Sequence, residues 1–213
     1  MSTSVPPTRR VAVLVSGSGT NLVALLEAID ADPAFGGEVV VVASDQPTAG
    51  GLEHARRRGL PVVALALSDH PDRAAWEAAL TTAVAAHEPD VVVLAGFMRV
   101  LSARFLRGWP DRVLNTHPSL LPAFRGAHAV RDALAHGVRV TGATVHLVDE
   151  QVDHGPIIAQ RCVPVEPDDT EASLHTRIKA VEHDLLPACV KLLCQDRLRI
   201  VGRTVHIEPE ELP

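Results

Sequence analysis

Asn115 and His117 are the residues whose types and spacing most directly suggest chemistry. They follow the apolar pair Val113-Leu114 and run straight into Pro118. In an extended segment, positions i and i+2 point to the same side. An amide donor and an imidazole can therefore converge there on one small oxygen. Acyl transfer needs such a pairing, a neutral donor for the oxyanion of a tetrahedral centre and a titratable ring for its proton. Pro118 and Pro122 fix φ along the exit from the strand. Taken alone, the pair reads first as a strand-end Asn entering a turn beside a His satisfied by backbone, and the rest of the chain must decide.

Two distant segments offer partners. In Asp149-Glu150-Gln151-Val152-Asp153-His154-Gly155-Pro156 the carboxylates are either surface turn formers or neighbours of His117. In the second reading Asp153 faces His117, raises its pKa and makes it a competent acid near neutrality. The other segment, Ser16-Gly17-Ser18-Gly19-Thr20-Asn21, joins a strand to a helix. Glycines let backbone approach an anion, and a helix N-terminus supplies unpaired N–H groups and a positive dipole end. Thr20 or Asn21 is expected to cap that helix. A dinucleotide fingerprint fails, because Leu22 stands where its third glycine belongs, and no G-K-[ST] follows. A mononucleotide-type phosphate site or a plain tight turn remains. Asp45, after the second strand, mimics the ribose-binding acid of an NAD enzyme and supports a dehydrogenase as the rival reading.

The elements that must position these groups alternate. Strands are expected at 10–16, 38–43, 61–67 and 90–95 and from Val113, with helices at 21–30, 49–58 and 73–87 between them. Repetition at ~25–30 residues implies a doubly wound, Rossmann-like α/β sheet with right-handed crossovers. After residue 125 the order changes. A helix at 128–136, strands at 141–149 and 157–165, a helical pattern over 170–194 interrupted by Pro187, and a hairpin over 197–207 about Gly202 imply late antiparallel strands in a mostly parallel sheet.

Composition limits the function classes. The 213 residues carry a formal net charge of -6, and 46% are apolar against 3% aromatic, with no Tyr. The core is therefore aliphatic. Cations are scattered apart from Arg56-Arg57-Arg58, a solvated helix face, so no nucleic-acid footprint is present. Cys162, Cys189 and Cys194 have neither metal-ligand nor redox spacing, which suits a reducing cytoplasm. The Pro-rich start has no apolar core of a signal peptide, and no apolar run approaches the ~20 residues of a membrane helix. Residues 1–9 are expected to be a disordered tail and 10–213 one domain. Its nucleotide-binding half would span about 10–110 and its catalytic half about 111–213.

Together, S-G-S-G-T-N, A-G-F-M-R-V-L, L-N-T-H-P-S-L-L-P, G-A-T-V-H-L-V and D-E-Q-V-D-H-G-P-I resemble the folate-dependent formyltransferases, with matching segments in order from residue 16 to residue 183. The resemblance implies transfer of a formyl group from 10-formyltetrahydrofolate, as co-substrate and without a metal, to the primary amine of glycinamide ribonucleotide. It assigns catalysis to Asn115, His117 and Asp153, and the phosphate to Gly19, Thr20 and Asn21. Lys179, Ala180, Val181 and Glu182 would meet the amine substrate. Folate would be held by Met98, Arg99, Val100 and Leu101, by Asn115, by Asp149, Glu150, Gln151, Val152 and Asp153, and by Arg73 from its helix. His154 stands where the family usually has a small residue, and its side chain is expected to face solvent. Arg125 in A-F-R-G echoes members that formylate methionyl-tRNA, but those carry a further RNA-binding domain, and members that pass the formyl group to water carry an N-terminal regulatory domain. The implied partners are small molecules, with no nucleic acid or membrane, in a monomer or homodimer.

Overall fold

The computed structural model describes residues 8–209. The chain runs β1 (Arg9–Val15), α1 (Thr20–Ala31), β2 (Gly37–Ser44), α2 (Gly50–Arg57), β3 (Val62–Ala64), α3 (Arg73–Ala85), β4 (Val91–Leu94), α4 (Ala103–Leu106) and β5 (Val113–His117). It continues through α5 (Ala129–His136), β6 (Val140–Leu147), β7 (Ile157–Pro164), α6 (Glu171–Cys194), β8 (Leu198–Val201) and β9 (Thr204–Ile207). The nine strands form one sheet in the order β3-β2-β1-β4-β5-β6-β7-β9-β8. The first five are parallel, β6 runs antiparallel to both its neighbours β5 and β7, and β8 runs antiparallel to β9. The architecture is the Rossmann-like, mostly parallel sheet with late antiparallel strands that the element pattern implies.

Alternation along β1 shows how the sheet is covered. Val11, Val13 and Val15 face a layer with Leu22 and Leu25 of α1 and Leu174, Ile178 and Leu186 of α6. Ala12 and Leu14 face Trp76 and Leu80 of α3 and Phe105 of α4. With both faces buried, a central strand must be apolar throughout, and β1 is. Among the described residues no helix is long and apolar enough to cross a membrane.

Several elements differ from expectation for local reasons. Arg9 belongs to β1, its N–H donating to the Gly36 carbonyl at 2.8 Å, so the expected tail would end sooner; its first seven residues lie outside the described ones. β3 is only three residues long, because its one neighbour, β2, stops pairing at Ser44↔Ala64; residues Leu67–Asp69 form a 3-10 turn instead. α3 ends at Ala85, with Glu88 left-handed (φ 47°) ahead of Pro89. α6 is not interrupted by Pro187. Burial of Leu185, Leu186, Cys189 and Val190 on both sides holds the helix through the missing N–H. Neither Thr20 nor Asn21 caps α1; the N-cap position is Gly19, left-handed at φ 78°. A Cβ there would lie 2.4 Å from the Gly51 Cα, so the residue must be glycine for the turn to sit against α2.

Candidate active site

Strand β5 ends between two chemistries because its side chains alternate. Asn115 pairs with His146 and His117 with Thr144 across the antiparallel β5–β6 ladder, while Thr116 points to the opposite face. Asn115 and His117 share a side, as their spacing requires. They converge, and the group they converge on is Asp153. Its Oδ2 accepts from the Gly126 N–H at 2.7 Å and lies 3.3 Å from His117 Nδ1; its Oδ1 is 3.4 Å from Asn115 Nδ2 and 3.8 Å from His146 Nε2. Asp153 itself is left-handed (φ 48°), so the loop aims its carboxylate back at the strand.

The His117 ring is almost wholly buried, and Nε2 meets the Phe124 carbonyl at 2.8 Å. Burial pushes its pKa below the ordinary value; the Asp153 charge and the Phe124 carbonyl push upward without fully offsetting it, and His146 adds to the decrease. The expectation that Asp153 lifts His117 toward neutrality is therefore half met: the carboxylate is in place and acts in that direction, but desolvation is larger. Because both ring nitrogens face acceptors, a proton gained during a reaction would satisfy both. Burial raises the Asp153 carboxyl, but the His146 ring, the His117 charge and the Gly126 amide outweigh it and bring the pKa below its usual value.

His146 is the functional neighbour that residue-by-residue reading missed. It is 1% exposed. Its Nδ1 lies 2.8 Å from the Leu147 carbonyl, and Nε2 faces Asn115 Nδ2 at 3.1 Å. With Nδ1–H donating to the Leu147 carbonyl, the neutral ring leaves Nε2 to accept from the Asn115 amide and orient it, whereas the protonated ring turns an Nε2–H toward Asp153. The signal was a histidine two residues after Thr144, on the same side of a largely apolar strand.

These groups form one wall of a cavity of about 200 Å³. Met98, Arg99, Val100 and Leu101 line it, as do Asp149, Gln151, Val152 and Asp153; Glu150 does not. Met98, Val100 and Val152 are 69%, 50% and 45% exposed. Such an apolar rim above a few polar groups suits a flat, largely apolar ligand. Arg73 does not line the cavity either. From the first turn of α3 its guanidinium donates to the Val100 carbonyl and holds the outside of the 98–101 segment.

On the other face of β5, Thr116 Oγ1 donates to Glu182 Oε1 at 3.3 Å and Asn21 Nδ2 donates to Oε2 at 3.1 Å. Glu182 is 4% exposed. Burial raises its carboxyl pKa, against the lowering effect of the Asn21 and Thr116 hydrogen bonds and of the Lys179 charge. The turn 179–182 does not act as a unit, because each helical step rotates the side chain by about 100°. Glu182 faces inward, Val181 packs at the core margin, and Ala180 is exposed. Asn21 likewise uses its side-chain amide on Glu182, so from this residue only the backbone N–H remains to meet an anion.

Asp45 is already committed. It is 2% exposed and accepts from Ser16 Oγ at 2.5 Å, Arg99 Nε at 2.7 Å and Gln46 Nε2 at 3.2 Å. Since Ser16 Oγ also accepts from the Met98 N–H at 2.9 Å, this carboxylate ties the first βα turn to the cavity segment and has no edge left for a ribose. The dehydrogenase reading loses its support. His154, expected to face solvent, does so only in part: its side chain is 28% exposed, and Nδ1 lies 2.6 Å from Asp149 Oδ2. Of the cysteines, Cys162 is exposed, while burial pushes the Cys189 and Cys194 thiols up to about 12, leaving them unreactive.

Residues 9–190 match the family described as "Formyl transferase". The chain is 52% identical over 202 residues to the phosphoribosylglycinamide formyltransferase of Mycobacterium tuberculosis, covering 94% of this chain and 93% of that protein. Its fold is similar to the crystal structure of glycinamide ribonucleotide transformylase 1 from Symbiobacterium toebii, with TM-score 0.92, 46% identity and 95% of each chain covered. A formyltetrahydrofolate deformylase from Pseudomonas syringae shares the fold at TM-score 0.88 and 26% identity, covering 96% of this chain and 67% of that one.

Proposed function

Since the chain belongs to the formyl transferase family, we propose that it transfers the formyl group of 10-formyltetrahydrofolate to the primary amine of glycinamide ribonucleotide. One observation carries this reading: Asn115, His117 and Asp153 come from segments nearly forty residues apart and meet on one wall of an apolar-rimmed cavity. The pterin enters between residues 98–101 and 149–153. Gly19, Thr20 and Asn21 offer backbone N–H groups to the ribonucleotide phosphate, and Glu182 with Lys179 faces the glycinamide part.

In this mechanism the amine lone pair attacks the formyl carbon, forming the new C–N bond and placing the carbonyl pair on oxygen. Asn115 Nδ2 receives that oxyanion, giving up its long 3.4 Å contact with Asp153. The amine proton passes to the His117–Asp153 pair, directly or through water. His117 thus becomes the cation that its two acceptors favour, and it supports the oxyanion. Collapse re-forms the carbonyl and breaks the bond to the folate nitrogen, which takes the proton back. No protein nucleophile takes part in these steps.

Mixing the protein with 10-formyltetrahydrofolate and following the absorbance of the deformylated folate tests the reading. Release that depends on glycinamide ribonucleotide is expected. Release equally fast without the amine would replace transfer by hydrolysis, and NAD binding with no release would exclude both.

A further inference from the structure

We propose that Arg203, on the C-terminal hairpin, is a positioning residue for the loop that carries Asp153. Through His154 and Asp149 it would brace residues 149–154 in the conformation that accepts the folate. The inference rests on the reading of the neighbouring cavity as the folate site.

The loop is fixed in backbone at its two ends. Val148 N–H donates to the Val113 carbonyl at 2.8 Å, and Leu147 N–H donates to the Pro156 carbonyl at 2.9 Å. Gly155 lies so close to the Leu147 carbonyl that a Cβ would come within 1.8 Å of it. Between those points side chains do the holding. Asp149 Oδ1 accepts from the Gln151 N–H at 3.0 Å, and Asp149 Oδ2 meets His154 Nδ1 at 2.6 Å, closing the loop on itself. On the far side of the loop, a second cavity of about 350 Å³ is lined by Asp153, His154 and Gly155 of the loop, by Leu121, Pro122 and Arg125 of the turn after β5, and by Ile157 and Arg203.

Arg203 crosses that gap. Its Nη1 lies 3.1 Å from His154 Nε2 and 3.3 Å from Nδ1, and its Nη2 donates to the His154 carbonyl. With Nδ1–H donating to Asp149, Nε2 is left as an acceptor for the guanidinium. The three side chains therefore form one directed series, Arg203 to His154 to Asp149. The hairpin that supplies Arg203 is placed for this. β9 meets the sheet through Ile157↔Thr204, one residue from Arg203 and three from His154. A small residue at 154 would leave the guanidinium no ring to meet.

The test is hydrogen exchange of the amides of residues 151–155, together with the Kd for folic acid and the KM for each substrate. In Arg203→Ala the loop amides should exchange roughly tenfold faster, and folate Kd and KM should rise roughly tenfold, with the amine KM unchanged. Arg203→Lys should recover part of the effect, and Arg203→Ala combined with His154→Ala should do no more than the larger single change. Arg199→Ala, on the outer strand of the same hairpin, controls for loss of the hairpin. Unchanged loop exchange in Arg203→Ala, or an equal change in Arg199→Ala, overturns the brace. Should the unaltered protein fail to bind folic acid, the folate reading falls, and loop exchange alone decides whether Arg203 braces the loop.

Discussion

Two buried carboxylates flank the end of β5, Asp153 on the face of Asn115 and His117 and Glu182 on the face of Thr116. Both are largely out of water, yet their pKa values move in opposite directions, Asp153 down and Glu182 up. Neighbours account for the difference. Asp153 is surrounded by a backbone N–H and two imidazoles, groups that favour the charged form; Glu182 has one amide, one hydroxyl and the Lys179 charge on its own helix to set against nearly complete desolvation. The first is built to hold a negative charge beside a ring that can take a proton. The second is held by hydrogen bonds at a place where burial makes its charge costly.

Breaking the Asp153 side should have the largest effect on turnover. Removing one oxyanion donor typically costs ~10²–10³ in kcat, and Asn115→Ala should fall in that range, with His117→Ala losing at least as much. Steady-state assays on folded variants decide this; near-normal turnover in either would remove the assigned mechanism. Glu182→Gln should act differently, raising the KM for the amine substrate roughly tenfold while kcat changes less. A kcat loss as deep as that of Asn115→Ala would show that the two carboxylates do not have separate roles.

Thermal unfolding sharpens the contrast. Because the folded pKa of Asp153 lies below its unfolded value, the unfolded chain binds protons more readily; this stabilisation is present above the unfolded pKa and disappears as pH falls through the folded one. Glu182 has the reverse sign: its contribution is fully present below its unfolded pKa and is lost as pH rises through the raised value. At pH 7, Asp153→Asn should therefore lower Tm by roughly 2–4 °C, corresponding to about 1 kcal/mol in a protein of this size, whereas Glu182→Gln should leave Tm unchanged or raise it. Two shifts of the same sign would contradict the comparison. Histidine NMR gives a smaller effect: His117 should titrate below its ordinary 6.5, and Asp153→Asn should lower it further by removing the Asp153 charge that faces the ring. Thr116→Val should have the smallest consequence for activity, leaving kcat within about threefold and costing about 1 kcal/mol through the lost hydrogen bond to Glu182.

Much of this site is legible in the sequence. Period-two alternation in Val113-Leu114-Asn115-Thr116-His117 places Asn115 and His117 together, and β5 confirms it through the Asn115↔His146 register. Apolar β-branched runs ending in Gly, Asp or Pro delimited the parallel strands. The edge strand β3 was overextended because an edge ends where its partner ends, and partner length is not a local property. The glycine turn was recognisable, but Gly19 is needed for its contact with Gly51, thirty-two residues away in sequence.

Local pattern, then, determined the doubly wound order of elements, the shared face of Asn115 and His117, and the loop that carries Asp153, because periodicity and turn chemistry act over a few residues. Tertiary structure alone decided what those groups do to one another. It turned Asn21 from a helix cap into a partner of Glu182, used Asp45 to tie Ser16 to Arg99, and brought His146 against Asn115. It also made desolvation of His117 outweigh the attraction of Asp153. Burial and long-range hydrogen bonding depend on which segments pack together, and pKa values follow from that packing.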